Sequence, residues 1–427
     1  MVVARIDSLA YGPHGIARVA GKVHFVRGAA PGDEVELEVE EDRRAYAYAR
    51  VARVIAPGPA RREPPCVYLP RCGGCPWQHV DYAAQAEAKE AAVRDLVTRV
   101  GGLAPDVVRP ILRAPAEFGY RRRLSLRVDP QRRLGFMAAA SHDVVPVARC
   151  LLAEDRLAGA IPLAQAWVES LATRVQRIEL VATGAAADDE HVALVAQADG
   201  AFDARDAETS ARWLRAHPRV AGLVLHGRGF KRTWGDVTVR VPLACGAPGD
   251  EMWLAAGDFS QVSDHGNAAL IREVIDAAAV TSETRVADLY AGAGNLGIPL
   301  ARRAAQVTAV ERSTSSASAA RDNGRRLGLA NLEVVAGATD RVLCRFVEDG
   351  RRFDVVVLDP PRAGAAEALA PLVQLAPARI VYVSCNPSTL ARDLATLARA
   401  YDVARVQPID LFPQTYHVEA VALLTAR

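Results

Sequence analysis

The chain has 427 residues, half of them hydrophobic, with a formal charge of +2, so a large folded core is available and neither a disordered nor a strongly charged class fits. Met1-Val-Val-Ala-Arg-Ile-Asp runs straight into polar and Gly-rich sequence, and no apolar run is long enough to span a bilayer. A signal peptide and a membrane span are therefore not expected, and the expected location is the cytoplasm. Length alone predicts roughly three domains.

In chain order, short β-type runs come first, at Val23–Val26, Glu34–Glu40 and Ala49–Ile55, with turns at Gly12-Pro-His-Gly15 and Pro31-Gly-Asp33. This spacing predicts a small five-stranded barrel of the oligonucleotide-binding (OB-like) kind over residues 1–58. Pro57-Gly-Pro59 and Pro64-Pro65 then mark a linker. Residues 82–100 read as a helix with Val93, Leu96, Val97 and Val100 on one face. Between about 105 and 250 lie strand-like runs at Arg123–Val128, Ile178–Ala182, His191–Val195 and Val220–Leu225, which predict a mixed α+β middle domain, placed with the linker at 59–255. Eight arginines between Arg109 and Arg133 hint at a polyanion, although lysine occurs only at 22, 89 and 231, so arginine is the general choice of cation here.

After residue 265 strands and helices alternate, predicting a doubly wound α/β sheet for the third domain, 256–427. Its strands are expected at Arg285–Leu289, Gln306–Val310, Leu332–Val335, Phe353–Leu358 and Ile380–Val383. The first runs into Asp288-Leu-Tyr-Ala-Gly-Ala-Gly-Asn295, a glycine turn that lets a nucleotide-type cofactor approach the backbone. Glu311, at the end of the second strand, is placed to accept two ribose hydroxyls. This pair suits a nicotinamide dinucleotide or S-adenosylmethionine equally. Asp359-Pro-Pro-Arg362, ending the fourth strand, favours a methyltransferase; a plain strand stop is the competing explanation.

Cys385 follows the strand at 380–383 and precedes a helix opening at Pro387, a setting expected to lower its thiol pKa and make it a nucleophile. A buried structural cysteine is the alternative. Glu419 lies in an apolar stretch and needs a partner or a task, such as that of a catalytic base. His417 reads as structural or substrate-contacting. Cys66, Cys72 and Cys75 form a compact trio, with Cys150 a candidate fourth ligand, for either zinc or a [4Fe–4S] cluster. Cys245 and Cys344 are expected to be buried hydrophobes.

Taken together, Asp258-Phe-Ser-Gln261, Asp288–Asn295, Asp359–Gly364, Ser384-Cys-Asn-Pro387 and Phe412-Pro-x-Thr-x-His-x-Glu419 resemble the RNA uracil-5-methyltransferase family over nearly the whole chain. The four cysteines and a barrel resembling the TRAM domain are similar to the iron–sulfur branch acting on 23S ribosomal RNA. The resemblance implies S-adenosylmethionine held by Gln261, Tyr290, Asn295, Glu311 and Asp359. It also implies a [4Fe–4S] cluster on Cys66, Cys72, Cys75 and Cys150, Cys385 as nucleophile, Glu419 as base, and RNA as the partner with no obligate protein partner. Ser263, Ala291 and Ala338 depart from residues common in the family. Rival expectations are methylation of transfer RNA, a nitrogen methyltransferase that needs no Cys385, and a non-catalytic RNA-binding factor.

Overall fold

A computed structural model describes residues 2–184, 190–244, 247 and 249–427; Cys245 lies outside them. The first five strands, β1 (Val2–Leu9), β2 (His14–Val19), β3 (Lys22–Arg27), β4 (Glu34–Asp42) and β5 (Tyr46–Ala56), close into a barrel in the order β1-β2-β3-β5-β4. Alternation drives the closure: Val35 and Leu37 turn inward beside Ile6 and Val26, while Glu34 and Glu38 stay outside. Asp33, wholly buried, ties the barrel to the linker by accepting from the Ala30 and Gly58 amides at 2.7 and 2.9 Å and from Arg61 at 2.7 Å.

Helix α1 (Tyr82–Arg99) comes next, capped by Asp81, whose carboxylate accepts from Ala83 N at 2.9 Å. It buries Val93 and Val97 as expected, but Val100 lies past its end and is half exposed. These two valines pack with Leu390 and Leu394 of the C-terminal region, so α1 leans on the third sheet.

The middle region contributes β6 (Arg123–Val128), β7 (Leu134–Met137), β8 (Val144–Pro146), α2 (Asp155–Ser170), β9 (Val175–Ala182), β10 (Val192–Ala198), α3 (Arg205–Ala216), β11 (Val220–Gly227) and β12 (Phe230–Gly235). Its sheet runs β12-β11-β10-β9-β6-β7-β8, and only the β10–β11 pair within it is parallel. A hairpin of β13 (Thr238–Pro242) and β14 (Glu251–Ala255) follows, and its Val239, Val241, Met252 and Leu254 join the core of the third sheet.

At the centre of the arginine run, Arg122 and Arg123 are tied up in structural bonds. Arg122 is fully buried, ion-paired with Asp264, and donates to the Arg240 carbonyl at 2.9 Å. Arg123 donates to the Ala256 and Asp258 carbonyls at 2.9 and 2.6 Å. Both residues fasten the middle sheet to the start of the next unit.

That unit contains α4 (Asp264–Ala278), β15 (Arg285–Leu289), α5 (Gly297–Ala301), β16 (Gln306–Glu311), α6 (Thr314–Arg326), β17 (Leu332–Ala336), α7 (Thr339–Glu348), β18 (Val355–Leu358), α8 (Ala366–Leu375), β19 (Arg379–Ser384), α9 (Pro387–Leu397), β20 (Tyr401–Ile409) and β21 (Glu419–Ala426). The order is β17-β16-β15-β18-β19-β21-β20, parallel except for β21, which runs antiparallel to both neighbours. Val286, Val357 and Val381 enter one core, while Ala287, Val356 and Ile380 enter the other. Burial on both faces explains why these strands read as continuous apolar runs. Cys344, expected in the core, is exposed on α7, because Val342, Leu343 and Phe346 already fill that helix's inward face. No helix among the described residues is long and apolar enough to cross a membrane.

Candidate active site

The glycine turn after β15 needs left-handed backbone, with φ of 62° at Tyr290, 57° at Gly292 and 104° at Gly294. A side chain added at Gly292 would meet no atom within 4 Å, so the turn's backbone faces open space. Glu311 braces this turn, accepting from Gly292 N at 2.9 Å and from Ser313 N at 2.6 Å. Asn295 pairs reciprocally with Asn267 of α4, at 2.9 and 2.8 Å. This amide pair brings the segment carrying Gln261 and Ser263 against the glycine turn, and Ser263 serves there as the cap of α4, accepting from Gly266 N at 3.1 Å. Ala291 is buried beneath the turn, and Ala338 precedes α7 with no side-chain cap.

Asp288 lies under the turn, fully buried, and among the described residues neither carboxyl oxygen meets a donor in good hydrogen-bond geometry. Burial and then the neighbouring Asp359 push its pKa up to about 8, against the pull of the Gly297 amide. Asp359, at the end of β18, is pushed up to about 7 by burial.

Cys385 sits between β19 and α9, whose cap, Asn386, accepts from Ser388 N at 3.1 Å. The Asn386 amide and the Thr389 hydroxyl both donate to the Arg362 carbonyl, at 3.1 and 3.2 Å, stitching the Asp-Pro-Pro-Arg loop to the cysteine turn. Register supplies the opposite wall. Ser384 pairs with Ala420 across β19 and β21, so the next step outward sets Cys385 opposite Glu419. Glu419 is 3% exposed, and burial, followed by the Asp359 charge, raises its carboxyl pKa well above the ordinary range while Arg362 opposes the shift.

The cysteine's electrostatics differ from the sequence expectation. Burial first, then Glu419, pushes the Cys385 thiol up, and the Arg362 guanidinium is the group holding it down. Half-burial among carboxyls outweighs the helix terminus.

Sequence reasoning missed how the segment leading into Glu419 is held. The Lys89 ammonium of α1 meets Asp410 at 2.6 Å, both side chains fully buried, and also donates to the Phe412 carbonyl at 3.0 Å. Gln414 adopts φ 71° and exchanges two bonds with Gln85: its amide donates to Gln85 Oε1 at 2.9 Å, and Gln85 Nε2 donates to Gln414 Oε1 at 3.0 Å. The Tyr120 hydroxyl donates to the Pro413 carbonyl at 3.0 Å. His417 packs on Tyr416 with ring centres 4.4 Å apart, and its pKa is lowered to about 4, chiefly by burial. Phe259, two residues before Gln261, is 72% exposed.

Cys66, Cys72, Cys75 and Cys150, brought from two segments, line a single cavity of about 210 Å³. Among the described residues no three His, Cys, Asp or Glu side chains converge closely enough for one metal ion.

Residues 254–427 match the model of the tRNA (uracil-5-)-methyltransferase family, and residues 3–52 match the TRAM domain. Among full-length relatives, the 23S rRNA (uracil(1939)-C(5))-methyltransferase RlmD of Edwardsiella ictaluri is 35% identical over 99% of this chain and 95% of its own. The RlmD of Klebsiella pneumoniae subsp. pneumoniae is 33% identical over 97% and 93%. The chain belongs to the RNA uracil-5-methyltransferase family. It is an S-adenosylmethionine-dependent RNA methyltransferase, with the barrel as its TRAM domain. An uncharacterized RNA methyltransferase of Thermosynechococcus vestitus is 34% identical over 99% and 97%. The fold matches a Pyrococcus abyssi tRNA (uracil-54, C5)-methyltransferase bound to S-adenosyl-L-homocysteine, with TM-score 0.76, 23% identity, and coverage of 99% of this chain and 100% of that one. The two structures share their fold over the whole chain.

Proposed function

We propose that this enzyme methylates C5 of a uridine in 23S ribosomal RNA, with Cys385 as nucleophile and Glu419 as base. The observation that carries the reading is the β19–β21 register, which sets a thiol and a buried carboxyl face to face beside the Asp359–Arg362 loop and the glycine turn. The RlmD relatives support the ribosomal substrate. Gln261, Tyr290, Asn295, Glu311 and Asp359 hold S-adenosylmethionine, and the orphaned oxygens of Asp288 and the open space over Gly292 suit a polar ligand there.

Uracil C5 is a weak nucleophile until the ring's conjugation is broken. Arg362 stabilises the Cys385 thiolate, which adds to C6 and drives electron density onto C5 and the adjacent carbonyl oxygen. S-adenosylmethionine, when bound, would supply a methyl group to C5 and leave as S-adenosylhomocysteine. Glu419, made a stronger base by its burial, removes the C5 proton, and elimination re-forms the C5–C6 double bond and expels Cys385. Phe259 is placed to stack on a base extruded from the RNA.

Four thiols around one cavity fit a [4Fe–4S] cluster on Cys66, Cys72, Cys75 and Cys150, and Gln78 Nε2, buried without a partner in the same wall, is a donor suited to its sulfurs. Such a cluster would tie the linker to the middle domain. The proposed domains are 1–58, 59–255 and 256–427, and the proposed location is the cytoplasm.

Wild type, Cys385→Ala and Glu419→Gln, each incubated with S-adenosylmethionine and unmodified RNA, test the reading. Nucleoside digests should show 5-methyluridine from 23S RNA for wild type and none for Cys385→Ala. Glu419→Gln should accumulate a methylated RNA adduct that survives denaturing electrophoresis. Turnover by Cys385→Ala would return the nitrogen-methyltransferase reading, and methylation of transfer RNA alone would overturn the substrate.

A further inference from the structure

The turn of the barrel's first hairpin packs outside the barrel core. It closes with Ala10 N donating to the His14 carbonyl at 2.9 Å, and Tyr11 at the tip packs against the core of the catalytic sheet rather than among Ile6, Val26, Val35 and Leu37. Two contacts fix it there. The indole of Trp77, 1% exposed, donates to the Gly12 carbonyl at 3.1 Å, holding the turn down. The Tyr11 ring meets Tyr416 edge-on, with centres 6.0 Å apart and planes at 88°, and Tyr416 stands three residues before Glu419.

The Tyr11 ring stands next to Tyr416, on the segment that carries Glu419. The charges that act on it are those of Cys385, Arg362, Tyr416 and Glu419, gathered from three segments distant in sequence. Burial, then the Cys385 charge, pushes its pKa up to about 12, so it stays a donor across the working pH range. No group among the described residues hydrogen-bonds its hydroxyl, and the ring is only half-buried. Packing between the barrel and the catalytic domain would need only the ring, and phenylalanine would serve as well. A hydroxyl kept protonated and unspent beside a thiol and two charged groups calls for a ligand acceptor.

We propose that Tyr11 completes the pocket for the target base, donating a hydrogen bond from its hydroxyl to the uracil carbonyl oxygen that gains negative charge as Cys385 adds to C6. This rests on the uracil C5 reading above. The bond strengthens as charge develops, so its loss falls mainly on turnover and not on ground-state RNA binding. The barrel is then a part of the active site, in addition to any grip it has on the RNA backbone.

The test uses the full chain as wild type, Tyr11→Phe and Tyr11→Ala, with unmodified 23S RNA and S-adenosylmethionine. A second arm follows covalent capture of RNA carrying 5-fluorouridine, whose fluorine cannot leave as a proton does. Tyr11→Phe should lower kcat and the rate of adduct formation about tenfold, the size of one transition-state hydrogen bond. Its KM for RNA, S-adenosylmethionine affinity and Tm should stay within about twofold or a degree of wild type, as expected of a near-isosteric change. Tyr11→Ala should lose at least as much turnover. If Tyr11→Phe matches wild type in kcat and in adduct rate, the proposal is overturned and Tyr11 serves packing alone, whatever Tyr11→Ala does. If wild type itself makes no 5-methyluridine in any RNA, the functional reading fails and this inference with it, an outcome separable from the first.

Discussion

Replacing Lys89 by methionine tests how far the catalytic segment depends on a helix more than 300 residues away in sequence. Lys89 Nζ and Asp410 Oδ1 are 2.6 Å apart with neither side chain exposed. Removing the cation therefore leaves a carboxylate buried without compensation, which costs about 3–5 kcal/mol. Substituting both partners, as Lys89→Met with Asp410→Leu, removes the stranded charge and should recover stability to within about 1 kcal/mol of wild type. Activity should not recover with it. Lys89 also donates to the Phe412 carbonyl, and Asp410 accepts from Phe412 N, each at 3.0 Å, so the double variant frees both backbone polar groups of Phe412, seven residues before Glu419. A displaced base lowers kcat by about tenfold or more. Three separate sheets need not unfold together, so the measurement is amide exchange across 404–426 beside steady-state methylation. The reasoning fails if the single variant costs under about 1 kcal/mol, or if the double variant turns over at the wild-type rate.

Two further outcomes follow from the buried groups. Asp288, held at about 8, keeps a proton in the native state that the unfolded chain releases near pH 4, so its contribution to stability is full below that range and drains away as pH rises to 8. Asp288→Asn stays neutral throughout and should flatten the pH dependence of denaturation between 4 and 8, gaining a few kcal/mol at the upper end; an unchanged slope would contradict the buried, unpartnered carboxyl. Protein purified without oxygen should carry about four irons with matching sulfide per chain, lost in Cys72→Ser, whereas stoichiometric zinc would refute the [4Fe–4S] assignment.

What the sequence made legible followed from periodicity. β6 and β15 lie at the predicted residues, because a strand buried on both faces must be apolar throughout and a half-buried one must alternate. The glycine turn, the acid at the end of β16 and the thiol after β19 were visible for the same reason: each sits at a strand's carboxyl end, a position that chain order alone defines. What stayed hidden depended on pairing between distant segments. Lys89 reads as an ordinary helix cation until Asp410 is seen against it, and Arg122 as part of a basic patch until Asp264 and three carbonyls enclose it. The Cys385 thiol follows the same logic, since a helix terminus is a local feature while the burial that raises its pKa, and after it the Glu419 carboxyl, come from the packing of distant segments. Tyr11 is the extreme case. As sequence it is one residue in a Gly-Pro turn of a small barrel, and only the fold sets it beside Tyr416 and within the field of Cys385 and Glu419. On the Tyr11 proposal, the barrel takes part in chemistry as well as in RNA binding. Deleting residues 1–55, which the linker would mark as a clean cut, also removes Tyr11 from the catalytic core and the Gly12 carbonyl from Trp77.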